Sequence, residues 1–399
     1  MRKKHFLLAA LMLMSVAVFA QDKVTIKGHV KFIEEGFKVT VFQRNGSSRN
    51  VLAETTVNDD HTYTVEVPVT SPGQATVDCG KWQDVTVWLE DENLEIDFRG
   101  LDTAKIKIKN PPYVHIRGGK NNELMNLINL ELYRNYQRMI AISQATYRTQ
   151  IPDEAEKKNL TSSLYGMNDD NYTAYMRYFA EHYADRNSVL VAIASLDEEK
   201  DAALIEESLS KVEQLGPTSK TLVDNLRKKR AEQKILRERM KEGNPAPAFT
   251  CVSPKGKTLS PDKYKGKVLV LDFWASWCGP CRKEIPHMKE YYEEFKDKGV
   301  EFLSVSIDAK EDAWRKALKE ENMAWPQGLA KEAGKEVKEL YQFTGIPFIL
   351  VIDKEGNIYK KHVRGENIKT AIQDCLDGKK AAAPKAVSMG GMMMGAAMM

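Results

Sequence analysis

Val268-Leu269-Val270-Leu271-Asp272-Phe273-Trp274-Ala275-Ser276-Trp277-Cys278-Gly279-Pro280-Cys281 decides the reading of this 399-residue chain. Its first half is an apolar run holding one carboxylate, the pattern of a buried strand. Its second half ends in a Cys-x-x-Cys pair, and Pro280 and the helical pattern of residues 280–296 put that pair at the start of a helix. A helix N-terminus offers unpaired N–H groups and the positive end of a dipole, which favours Cys278 as thiolate. The thiolate is the attacking form. Cys281 follows one turn on, placed to resolve a mixed disulfide. A structural zinc site needs two further ligands, and no second Cys-x-x-Cys or His pair is spaced to give them. An inert structural disulfide is the other alternative to redox chemistry.

Working outward, residues 302–307 read as a strand, 312–320 as a helix, 348–352 and 358–362 as strands joined by the turn Asp353-Lys354-Glu355-Gly356, and 367–376 as a closing helix. Strand, helix, strand, helix, hairpin and helix predict an α/β domain with a mixed sheet. Gly243-Asn244-Pro245-Ala246-Pro247 marks the linker before it. Residues 21–110 alternate in short runs, such as Val39-Thr40-Val41-Phe42 and Tyr63-Thr64-Val65-Glu66-Val67, and predict a small all-β domain, sandwich or barrel-like, with a last strand at 105–109. After Pro111-Pro112, residues 111–242 read as a helical segment. Leu124, Leu127 and Ile128, then Tyr175, Tyr178 and Phe179, then Leu222, Leu226 and Ile235, recur at helical spacing.

The segment from Val270 to Cys281 resembles the active site of thioredoxin. The likeness continues in Pro286 and in Thr344-Gly345-Ile346-Pro347 ahead of a strand, and the lead-in from Asn244 to Phe249 with Glu284 points to the exported TlpA/ResA-type branch. It covers about residues 243–378. It implies a thioredoxin-like fold and a thiol–disulfide oxidoreductase in which Cys278 attacks and Cys281 resolves. Asp272 stands six residues before Cys278, where thioredoxin has its buried proton-handling acid. Many TlpA/ResA-type relatives lack an acid there, so the chain is closer to thioredoxin at that point. The resemblance further implies a cis Pro347 beside the cysteines, with the Ile346 backbone offered to a substrate strand. Trp274 and Trp277 are expected to form an apolar collar, with Trp277 touching substrate. A peroxiredoxin is the nearest other family on this fold, but Ala275 stands where its Thr belongs. No function is carried over to the β and helical extensions.

Residues 1–20 read as a signal peptide: Arg2-Lys3-Lys4, an apolar stretch from Phe6 to Phe19, and Val18-Phe19-Ala20 before the cleavage point. The stretch is shorter than the roughly 20 residues of a span, and no Cys follows it, which argues against membrane insertion and a lipid anchor. The expectation is therefore an exported, periplasmic protein. The net charge of +3 disappears with those three basic residues, leaving no electrostatic case for nucleic acid. Five cysteines are too few for a disulfide scaffold. Cys375 falls on an apolar face with Ile368 and Ile372, Cys79 and Cys251 have a minor prospect of pairing, and His287 reads as a solvated helix residue. No metal or cofactor is called for by the dithiol chemistry. Residues 379–399 form an Ala-, Gly- and Met-rich tail. Its thioethers suit Cu(I), though low complexity alone accounts for it. The expected partners are disulfide-bearing exported proteins and a membrane thiol-transfer electron donor. Two rival readings are a disulfide isomerase and a binding or scaffold protein whose N-terminal region does the work.

Overall fold

Alternating apolar residues turn the N-terminal region into strands: β1 (Lys23–Phe32), β2 (Lys38–Asn45), β3 (Ser48–Thr56), β4 (Thr62–Pro68), β5 (Gly73–Cys79), β6 (Gln83–Leu89), β7 (Leu94–Ile96), β8 (Phe98–Gly100) and β9 (Ile116–Arg117). The computed structural model describes residues 23–45, 48–101, 113–148 and 151–381. The signal-peptide reading, the strand at 105–109, the Pro111-Pro112 boundary and most of the tail fall outside the described residues. The strands form two sheets, ordered β4-β1-β7-β9 with β8 also on β1, and β3-β2-β5-β6. β7 and β8 are separated by the single residue Asp97. Its carboxylate accepts the His29 N–H at 2.9 Å, so a side chain interrupts the parallel ladder between β1 and its two short partners.

Helices α1 (Lys120–Arg148), α2 (Glu154–His182), α3 (Val189–Ala194), α4 (Ala202–Glu213) and α5 (Pro217–Arg239) follow. Polar side chains fix the start of α1. Glu92 accepts the N–H groups of Asn121 and Asn122 at 2.8 and 3.1 Å, satisfying donors that a helix start leaves open. One turn apart on the same face, Asn122 pairs with both backbone groups of Trp88 in β6, and Asn126 with both of Ile116 in β9. These buried amides complete strand edges, a role for which the sequence carries no periodic signal.

The compact units are Met1–Arg138 with Tyr172–Gly216, and Met139–Asn171 with Pro217–Met399. The stretch 111–242 is therefore shared between two units, and β9 lies beyond residue 110. The helical faces also differ from the expectation. Tyr175 and Tyr178 of α2 and Ile235 of α5 are exposed, while Met176, Phe179, Ala180 and Val223 are buried.

The C-terminal elements are β10 (Cys251–Val252), β11 (Thr258–Leu259), β12 (Val268–Trp274), α6 (Gly279–Phe295), β13 (Val300–Ser306), α7 (Glu311–Glu321), β14 (Gln327–Leu329), α8 (Lys335–Leu340), β15 (Phe348–Ile352), β16 (Ile358–Lys361) and α9 (Glu366–Leu376). They build a mixed sheet ordered β11-β10-β14-β13-β12-β15-β16, with β12, β13 and β14 parallel and β15 and β16 antiparallel. This is a thioredoxin-like domain. Helices cover both faces. Leu269, Leu271 and Phe273 pack with Trp314 and Val337, while Val268 and Val270 pack with Tyr291, Phe295 and Ile372. Two-sided burial is why β12 reads as a run and not as an alternation. Each Val, Leu or Phe so buried contributes roughly 1.5–3 kcal/mol. The linker lies along the outer edge of β16, exchanging the bonds Gly243 N–H to Ile358 O and Ile358 N–H to Asn244 O, both 2.8 Å.

Candidate active site

The apolar strand β12 runs out at Trp274, and the chain turns through Ala275-Ser276-Trp277 into α6. Asp308, buried just past β13, shapes that turn. It accepts the Ser276 N–H at 2.8 Å, the Ser276 hydroxyl at 2.6 Å and the Ser306 hydroxyl at 2.6 Å. Cys278 is the N-cap residue of α6, and its Sγ accepts the Cys281 N–H at 3.2 Å. A thiolate there is held by a backbone donor and by the helix dipole. Pro280 sits in the first helical turn, where its missing N–H leaves nothing unpaired. Cys278 and Cys281 are joined as a disulfide, with Cα atoms 5.3 Å apart. Both are buried within the C-terminal core.

Tertiary structure brings further predicted residues to this point. The Ile346-Pro347 bond is cis. The Ile346 carbonyl lies 3.7 Å from Cys278 Sγ, although 68 positions separate them in sequence. Trp277 is 66% exposed. Trp274 is only 1% exposed, and its indole nitrogen has no hydrogen-bond partner among the described residues, so the expected two-tryptophan collar reduces to Trp277. Trp274 ends a strand covered on both faces and is core.

Asp272 is buried on the α6 and α9 side of the sheet, 6% exposed. Burial pushes its carboxyl up to about 7, against the pull of a Ser304 hydrogen bond and the positive charge of Arg364, with Glu284 adding to the rise. Glu284 in turn accepts the Gly365 N–H at 2.6 Å, which ties α6 to the loop carrying Arg364. An acid poised near neutrality and buried beneath the sheet can exchange protons at physiological pH. Sequence reasoning missed Ser304, Asp308 and Arg364. Ser304 and Asp308 belong to the site through hydrogen bonds to segments distant in sequence, and Arg364 through its charge, and no local pattern marks them.

The remaining cysteines stay apart from this chemistry. Cys79, Cys251 and Cys375 are buried free thiols, so the considered Cys79–Cys251 bond is not formed. Burial pushes the Cys251 and Cys375 thiols up to about 12 and raises Cys79 as well, leaving all three protonated and inert. Cys375 shares the buried face of α9 with Ile368 and Ile372. His287 is exposed on α6. Among the described residues, no group of three or more His, Cys, Asp or Glu side chains is placed to hold a metal ion. No helix among them is long and apolar enough to cross a membrane.

Residues 241–375 match the Redoxin family model. The thiol-disulfide oxidoreductase ResA of Bacillus thuringiensis subsp. konkukian is 33% identical over 139 residues, which are 35% of this chain and 79% of that protein. ResA of Bacillus subtilis is 31% identical over 141 residues, 35% of this chain and 77% of that protein. The thioredoxin domain of a thiol-disulfide oxidoreductase from Bacteroides vulgatus is 37% identical. The match covers 34% of this chain and 98% of that one, with a TM-score of 0.33.

Proposed function

The chain belongs to the ResA-type thiol–disulfide oxidoreductases, and from that premise we propose that it works as an exported, periplasmic reductase of protein disulfides. The observation that carries the direction is the Cys278-Gly279-Pro280-Cys281 sequence capping α6, where Cys278 Sγ accepts the Cys281 N–H. That dipeptide matches thioredoxin, a reductant near −270 mV, and not the strong exported oxidants near −120 mV.

In the reduced protein the Cys278 thiolate attacks one sulfur of a substrate disulfide. An S–S bond forms between them, and the other substrate sulfur leaves as a thiolate. Cys281 then loses its proton to Asp272 and attacks Cys278 Sγ. The second substrate sulfur departs, and the enzyme is left with the Cys278–Cys281 disulfide. Two electrons have moved to the substrate. The Ile346 backbone and Pro347 hold an extended substrate strand, and Trp277 supplies the apolar contact. A membrane thiol-transfer partner restores the dithiol, because an oxidising compartment does not.

Equilibration against glutathione or dithiothreitol buffers tests the direction. A potential below about −230 mV is expected, and one above about −180 mV, the isomerase region, overturns the reductase reading. Insulin precipitation by a dithiol, lost in Cys278→Ala, is expected. Its absence in the parent chain returns the function to the N-terminal region as a binding module.

A further inference from the structure

Behind Asp272 lies a pair of residues that the reaction as described does not use. The parallel register of β12 and β13 sets Asp272 beside Ser304. The Ser304 hydroxyl is 3.0 Å from Asp272 Oδ2, and the indole Nε1 of Trp325 is 2.9 Å from the same hydroxyl. Ser304 and Trp325 are both buried. Trp325 packs in a three-ring cluster, with its centroid 5.5 Å from Tyr292 and 5.8 Å from Phe302, which also touch each other.

The chemistry of these groups gives the chain one direction. An indole N–H only donates. It therefore claims an acceptor position on Ser304 Oγ. A hydroxyl has a single proton, and that of Ser304 is directed to Asp272. Protonated Asp272 would instead donate into the second acceptor position of Ser304, whose own proton would then have to turn away from the carboxyl to another acceptor. A hydrogen bond to the charged form favours that form, and each bond in such a chain polarises the next.

We propose that Trp325 and Ser304 form a one-way hydrogen-bond relay that sets the ionisation of Asp272, with Trp325 as a positioning residue two bonds from the carboxylate. The charged groups acting on Asp272 from the other elements are Glu284 on α6 and Arg364 after β16, which act in opposite senses. The relay is a third, uncharged control on the same acid. Its relevance to turnover rests on the reading that Asp272 accepts the Cys281 proton.

The test uses the full reduced chain. The Asp272 midpoint is read from its carboxyl carbon resonance, assigned with Asp272→Asn, and the Trp325 indole proton is followed across the same pH range. The Trp325 resonance is expected to move with the Asp272 midpoint in the unmodified protein. Ser304→Ala is expected to raise that midpoint by about one pH unit, the scale of a lost hydrogen bond to a charge. Trp325→Phe keeps a ring in place and is expected to raise it by less. An indole resonance flat through the titration, or an unchanged midpoint in Ser304→Ala, overturns the relay. The pH–rate profile separates the two ideas. A midpoint that moves while the profile stays upholds the relay and removes Asp272 as proton acceptor.

Discussion

Replacing Asp272 by Asn should stabilise the protein at alkaline pH and not at acid pH. Burial raises this acid from an ordinary 3.8 to about 7, so the folded state binds the proton more tightly than the unfolded chain does. The sign follows from linkage. Stability from this group is complete below about pH 4 and is lost as pH rises through about 7. The gap of about three pH units is worth about 4 kcal/mol once the carboxylate is fully charged. Asn keeps the acceptor for Ser304 but brings an amide donor into a buried site, costing about 1–2 kcal/mol if it finds no partner. A net gain of about 2–3 kcal/mol is expected at pH 8, vanishing or reversing at pH 4. Urea unfolding of the oxidised chain at pH 4, 6 and 8 reads this directly, with the buried Trp274 and Trp325 reporting on the C-terminal core by fluorescence. Equal stabilities at pH 8, or an advantage that persists unchanged at pH 4, would refute the account of Asp272 as an acid destabilised by burial.

In the reduced protein, brief iodoacetamide treatment followed by peptide mapping should label Cys278 ahead of Cys281, because the N-cap position stabilises its thiolate; preferential labelling of Cys281 reverses the assignment. Trp277→Ala should lower kcat/KM for protein disulfides roughly tenfold, about 1.4 kcal/mol, and leave reduction of a small aromatic disulfide nearly unchanged; equal losses on both substrates exclude a docking role. Asp308→Ala strands the donors of Ser276 and Ser306 and should cost about 3 kcal/mol of stability. Denaturant titration measures that loss, and a change below about 0.5 kcal/mol would show that the turn does not depend on Asp308.

The sequence by itself determined the local object: a buried strand, a tight turn and a helix opened by Cys278, Gly279, Pro280 and Cys281. Each part is specified by neighbours within a few positions, through apolar content, proline's fixed φ and the open donors of a helix start. It also sufficed for the strand–helix order of the thioredoxin-like domain and for placing Asp272 in a buried strand. Tertiary structure alone decided what surrounds that object. Asp272 meets Ser304, and Ser276 meets Asp308, only because β12 and β13 lie parallel in one register. The Ile346 carbonyl lies 3.7 Å from Cys278 Sγ across 68 positions, a neighbourhood that the resemblance implied and that no local pattern of residues carries. Of two tryptophans three residues apart, the fold buried Trp274 and exposed Trp277, since one ends a strand covered on both faces and the other sits on the turn. The amide faces of Asn122 and Asn126 are a further case, because a buried polar side chain is explained only by the strand edge it completes. Periodicity reports how a segment divides between water and core. It does not report which distant segment supplies the other half of a hydrogen bond.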